Sequence, residues 1–245
     1  LSLVGSEMCI RDSYQSIRKI GKNYGGRKSN NSLSPAKMRK ANKLRAVKRM
    51  QRLINANFGS GDFFCRFSAP YGTYESEKEF RAEVGKWLYR INYRRKKQGK
   101  GRLKYIAFIE CGKSGKNWHI HIIVSKEDRE LLSEQWPYEN GQNFTPLYKN
   151  ENFKKLAEYI TKDLTGKEDV DAAQKRMMTS RNLTKPESVT RKAKRKEIRA
   201  LERGEMIEPP EGHYLIEDDY SMNYSDIGGA KWYFCFLPIT QRRKW

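Results

Sequence analysis

Residues Tyr105–Ser125 read YIAFIECGKSGKNWHIHIIVS, and this stretch decides the fold. Two β-branched and aromatic runs, Tyr105–Glu110 and Trp118–Val124, flank a polar turn, CGKSGKN. That pattern predicts an antiparallel hairpin with a loop of several residues. Two of the chain's three histidines stand as His119-Ile120-His121 inside the second run. Side chains alternate across a strand, so both imidazoles face one side while Ile120 and Ile122 face the other. Two imidazoles side by side form a ready pair of nitrogen ligands. Glu110 ends the first run, which is otherwise apolar, and from across the hairpin its carboxylate can reach the imidazole side. Three such ligands leave coordination positions open, as metal catalysis requires, because the substrate must also touch the ion. Each part has a plainer reading: an HxH pair also arises by chance, and a carboxylate at a strand end can simply be solvated.

Working outward, Phe63–Phe67 (FFCRF) suits a strand. Ser76 and Glu79 form a capping box, and Phe80, Val84, Trp87, Leu88 and Ile91 follow at helical spacing. The basic run Arg94-Arg95-Lys96-Lys97 complements the negative end of that helix, and Gly99 and Gly101 end it. A helix is expected over Glu127–Gln135, then a loop over Pro137–Asn150. Asn150 or Asn152 caps a further helix with Phe153, Leu156, Ile160 and Leu164 on one face. Asp171–Met178 reads as a short helix, and Pro186–Arg203 as a basic one. Tyr214–Ile216 and Lys231–Leu237 alternate around a Ser225–Gly228 turn and suggest a closing β-hairpin. The expected class is α+β: an antiparallel sheet with helices on its faces, basic helical extensions and a C-terminal β-hairpin.

The 245 residues carry 50 Lys and Arg against 29 Asp and Glu, a net charge of +21 and a pI near 9.8. Such an excess repels itself unless a polyanion binds it, so nucleic acid is the first candidate partner; a ribosomal or chromatin-like role is the plainest form of that reading. Aromatic residues at 12% argue against wholesale disorder. No apolar run approaches the roughly 18 residues of a membrane span, so no membrane partner is expected. Cys9, Cys65, Cys111 and Cys235 lie far apart without CxxC spacing, which points away from a zinc ribbon or disulfide framework and towards a reducing cytoplasm. From Tyr14 to Ser60 there are thirteen basic residues and no acid. Gly21–Asn31 reads as an arm, and Ser34-Pro35 starts a helix with a thin stripe of Met38, Ala41, Leu44, Val47 and Ile54. Lys40 and Lys43 on this helix, and Arg195 on the later basic helix, are candidate DNA contacts.

The segment YIAFIECGKSGKNWHIHIIVS resembles the metal-binding hairpin of the HUH endonuclease superfamily, named for its His–hydrophobic–His motif. In its replication initiators an acidic residue on the preceding strand completes the ligand set, where Glu110 stands. The family also places a tyrosine on a downstream helix with a lysine three residues later; KKLAEYITKDL at Lys154–Leu164 supplies Tyr159 and Lys162. With FFCRF as a weak first motif, the resemblance covers about Asp62–Gly166. It implies a ferredoxin-like, RRM-like core and a divalent ion, Mg²⁺ or Mn²⁺, on Glu110, His119 and His121. Tyr159 would be the nucleophile forming a 5′-phosphotyrosine, and Lys162 would stabilise the developing charge. Tyr159 and Lys162 share a helix face by spacing. The position four residues before Tyr159 is Lys155, so single-tyrosine chemistry is expected. Lys113 and Lys116 are expected to touch the DNA backbone beside the ion.

The implied role is a cytoplasmic initiator of rolling-circle replication of a phage, prophage or plasmid in a bacterial host cell. Its partners would be a single-stranded DNA origin and the host's helicase and polymerase. Competing readings are a non-catalytic basic nucleic-acid-binding protein, a relaxase or a transposase of the same superfamily. Gly112–Lys116 (GKSGK) fails as a phosphate loop: a motif ending at Lys116 needs Gly where Glu110 stands, and Ser or Thr where Asn117 stands. Residues 3–13, LVGSEMCIRDS, resemble a translated sequencing adapter and lack a signal-peptide pattern, which leaves the native N-terminus open. The expected organisation is therefore 1–13 non-native, 14–60 basic arm and helix, 61–167 nicking domain, and 168–245 basic helix and hairpin.

Overall fold

The computed structural model describes residues 9–14, 35–112, 114–148, 152–162, 177–186, 194–216, 220–225 and 229–239. The elements in chain order are β1 (Cys9–Tyr14), α1 (Pro35–Asn55), β2 (Phe63–Ser68), α2 (Glu77–Lys97), β3 (Tyr105–Cys111) and β4 (Trp118–Val124). They continue with α3 (Arg129–Gln135), β5 (Gln142–Pro146), α4 (Lys154–Thr161), β6 (Met177–Thr179), α5 (Arg195–Glu202), β7 (His213–Leu215), β8 (Ser221–Ser225) and β9 (Gly229–Pro238). The chain divides into two compact units, Arg39–Lys185 and a unit made of Leu1–Met38 with Pro186–Trp245. The architecture is α+β, as the sequence pattern predicts.

The Arg39–Lys185 unit is built on a five-stranded sheet in the order β5-β2-β4-β3-β6, and every neighbouring pair is antiparallel. All seven residues of β4 are buried, because the strand lies at the centre with helices on both faces. One face presents Cys65, Phe67, Ala107, Ile109, Ile120 and Ile122 to Phe80, Val84, Trp87 and Ile91 of α2 and Leu132 of α3. Trp87 adds a polar anchor there, its indole N–H donating to the Leu132 carbonyl at 3.1 Å. The opposite face sets Ile106, Phe108 and Ile123 against α1 and α4 through Val47, Met50, Ile54, Ala157 and Ile160.

Helix α1 is therefore part of this core rather than an appended basic arm, and the compact unit begins at Arg39 instead of residue 61. Of its expected stripe, Val47 and Ile54 are buried with Met50, whereas Leu44 stays 55% exposed. The end of α1 fixes the start of α4. The side-chain amides of Gln51 and Asn55 both donate to the Asn152 carbonyl at 3.0 Å, and the Asn152 side chain accepts from the Lys154 N–H at 3.1 Å. Between them Phe153 is buried in the left-handed region at φ 53°, uncommon for a bulky residue, and turns the chain into the helix.

Four local expectations change. Residues 142–146 of the expected loop form edge strand β5, where Pro146 is tolerated at the strand end. Met177 and Met178, expected in a helix, begin strand β6 against β3, while 171–176 lie outside the described residues. Only half of the capping box forms: Ser76 accepts from the Glu79 N–H, but the Glu79 carboxylate accepts from Glu75. The basic helix is described over Arg195–Glu202 alone, with 187–193 outside the described residues.

The second unit has its own sheet, in which β9 pairs with β1 on one edge and with β7 and β8 on the other. The closing hairpin is β8–β9, with Tyr214 of β7 opposite Leu237 further along β9. Leu201 of α5 buries against Trp232, Phe234 and Phe236. Pairing of β1 uses main-chain groups that any sequence carries, so it is compatible with the adapter resemblance of residues 3–13. Among the described residues no helix is long and apolar enough to cross a membrane.

Candidate metal centre and tyrosine

The register of the hairpin builds the site. Glu110 lies directly opposite His119, and His121 lies opposite Phe108 on β3 and Arg66 on β2. Alternation then turns Phe64, Arg66, Phe108, Glu110, His119 and His121 to one face, the face of α1 and α4. A single carboxylate oxygen, Oε2 of Glu110, stands 3.2 Å from His119 Nε2 and 3.0 Å from His121 Nε2. The ligand atoms of the three residues all lie within 4.8 Å of one another. Helix α4 brings the Tyr159 hydroxyl to 3.4 Å from His121 Nε2. Tyr159 is 38% exposed, so its hydroxyl is open to solvent as well as to the cluster.

The two imidazoles are oriented by different means. His119 Nδ1 sits 3.2 Å from the Asn117 carbonyl, which can only accept, so Nδ1 carries the proton. In the neutral ring Nε2 then offers a lone pair to a carboxylate oxygen that also has only lone pairs. Two acceptors facing each other at 3.2 Å require a shared cation. His121 is wedged between Phe64 and Phe108, with centroids at 5.3 and 4.8 Å and nearly parallel planes. Its buried Nδ1 has no hydrogen-bond partner. Tyr159 meets His121, Phe64 and Phe108 edge-on, with ring centroids 5.5 to 6.0 Å away.

The electrostatics favour a cation site. Hydrogen bonding with His119, and then with His121, holds the Glu110 carboxyl far below the usual carboxylate range. Burial pushes the His121 imidazole below its ordinary value and outweighs the opposite pull of Glu110. A charged acceptor and an imidazole kept neutral are the protonation states that metal ligation needs. The donor set fits a divalent ion: ligand atoms about 2.1 Å from an ion and at right angles lie about 3.0 Å apart, close to the spacings here.

Lys162 follows α4 at its C-terminal end with Nζ 5.9 Å from the centre of the Tyr159 ring. Lys116 is exposed in the hairpin loop, and Lys113 lies outside the described residues. Lys43 is exposed on α1; Lys40 belongs to the same helix, but its side chain is not among those described. Arg195, the first residue of α5, is exposed in the other unit. Of the residues singled out by sequence, then, the structure brings together Glu110, His119, His121, Tyr159 and Lys162. It adds Phe64, Phe108 and Arg66, which the sequence reading passed over. Phe108 was within reach, standing two residues before Glu110 on the same face, and Arg66 is the one charge in an apolar strand.

Fold and site together define a class: an antiparallel sheet carrying a two-histidine, one-carboxylate ligand set with a helix-borne tyrosine beside it. Residues 72–169, which include this cluster, match the model of a family of replication-associated proteins, the ORF2 type. No curated protein and no solved structure matches the chain.

Proposed function

We propose that this protein is a DNA-nicking and joining enzyme that initiates rolling-circle replication, acting on a single-stranded origin through Tyr159. The similarity to the replication-associated family supports the initiator role and, with it, contact with DNA. The observation that carries the chemistry is the Tyr159 hydroxyl 3.4 Å from His121, itself 3.0 Å from Glu110.

Glu110, His119 and His121 would hold a divalent cation, Mg²⁺ or Mn²⁺, through Oε2 and the two Nε2 atoms; when bound, it supplies Lewis-acid polarisation of a phosphodiester oxygen. His119 is kept in its ligating tautomer by Asn117, and His121 in its ring plane by Phe64 and Phe108. The Tyr159 oxygen attacks phosphorus, an O–P bond to the tyrosine forms, and the bond from phosphorus to the 3′-oxygen breaks. The phenolic proton leaves to solvent, and the departing 3′-oxygen takes up a proton to become a 3′-hydroxyl. Attack by such a hydroxyl on the phosphotyrosine reverses the sequence, so strands rejoin without ATP. Lys162, beside the phenol ring, counters the negative charge that develops there.

The test is incubation with labelled single-stranded origin DNA and Mn²⁺. A covalent protein–DNA adduct is expected from the wild type and none from Tyr159→Phe. An adduct that persists in that variant removes Tyr159 from the role. Binding without any adduct in the wild type supports a non-catalytic nucleic-acid-binding protein instead.

A further inference from the structure

On the sheet face away from the metal cluster, α2 buries Phe80, Val84, Trp87, Leu88 and Ile91. Its opposite side carries Lys78, Ala82, Lys86, Tyr89, Tyr93 and Lys97, all exposed and all three or four residues apart. That spacing makes one straight stripe, about 28 Å long at 1.5 Å per residue. It contains no acid; the neighbouring Glu83 reaches Lys86 only at 3.7 Å and is engaged by Arg90 at 3.2 Å. Tyr89 and Tyr93 stand one turn apart, 72% and 49% exposed, and bury little in the fold. Tyrosine is a weaker helix former than the residues that usually fill a solvated face, so two rings here need a purpose other than stability. The Lys97 ammonium lies 4.9 Å over the Tyr93 ring, which places a cation beside an aromatic plane. The stripe runs on into Lys100, Arg102 and Lys104, exposed in a segment without acids.

We infer that this outer stripe of α2 is a binding site for single-stranded nucleic acid, separate from the metal cluster. Tyr89 and Tyr93 stack on bases, and Lys78, Lys86 and Lys97 track the backbone phosphates. Exposed aromatic planes interleaved with cations are what sequence-tolerant single-strand binding uses. A duplex keeps its base faces stacked and hides them from the two rings, so the stripe selects single strands. The inference does not depend on the nicking chemistry.

The experiment measures binding of a fluorescent 20-nucleotide oligo(dT) by anisotropy, using the full chain carrying Tyr159→Phe, with EDTA present. Tyr89→Ala with Tyr93→Ala is expected to weaken binding by about tenfold or more, with an unchanged melting temperature because both rings are exposed. Tyr89→Phe with Tyr93→Phe is expected to bind as the parent does, because stacking survives loss of the hydroxyl. Lys86→Gln with Lys97→Gln is expected to lower the salt dependence by about 1.4, at about 0.7 per single-strand phosphate contact. Unchanged oligo(dT) affinity in the alanine pair overturns the inference. So does an equal loss in the phenylalanine pair, or a duplex of the same length bound as tightly as the single strand.

Discussion

The two faces of the five-stranded sheet are made by the same strands, yet they are built to opposite ends. The face under α2 and α3 is closed and apolar, with Cys65, Phe67, Ile120 and Ile122 fully buried. The face under α1 and α4 packs Ile106, Phe108 and Ile123, then gives way along the same strands to Arg66, Glu110, His119 and His121. That second face holds a buried nitrogen without a partner, at His121 Nδ1, and two acceptors pointed at each other. Such features cost stability and persist where function needs them. The comparison teaches that one face carries the fold and the other carries the chemistry.

The largest effect should come from breaking the closed face. Trp87→Ala removes a fully buried indole and its bond to Leu132, and is expected to cost about 3–5 kcal/mol, read as a lowered urea midpoint. His121→Phe on the other face should cost no more than about 1 kcal/mol, because a phenyl ring fills the slot between Phe64 and Phe108. The same variant should bind Mn²⁺ at least about tenfold more weakly, measured by calorimetric titration. A large stability loss in His121→Phe would erase the contrast between the faces.

Acidification should strike the chemical face first. The folded-state value of Glu110 is depressed, so its stabilisation is present above its ordinary value of 4.5 and lost as pH falls through that region. The folded state also prefers neutral His121, so lowering pH below the ordinary 6.5 favours the unfolded chain, which protonates more readily. Both act in one direction, and the metal-free protein is expected to melt at progressively lower temperature from pH 7 to pH 4. The smallest effect concerns Cys65 on the closed face, whose thiol is buried and pushed up to about 12. It should resist alkylation at pH 8 in the folded protein and react once the chain is unfolded.

How far the sequence could be read follows from where signal accumulates. The β3–β4 hairpin and the buried stripe of α2 were legible because burial on a whole face imposes period 2 or 3.6 on many residues at once. Strand β5 (QNFTP) was not, because an edge strand with one apolar residue shows no alternation, and β6 has only three residues. The role of α1 was masked by its charge; Val47, Met50 and Ile54 are few, but they are enough to dock one side of a helix. The metal trio was legible because its register follows from one tight hairpin. The placement of Tyr159 beside it rests on Gln51, Asn55 and Asn152 meeting from distant parts of the chain, and on the turn at Phe153, which no local pattern announces.

The central claim is that Tyr159, and no other of the fourteen tyrosines, is the nucleophile beside Glu110, His119 and His121. Peptide mapping by mass spectrometry after trypsin and nuclease digestion of the DNA adduct tests it directly. The account expects the nucleotide mass on the peptide Leu156–Lys162, LAEYITK. A nucleotide found on any other tyrosine would contradict it.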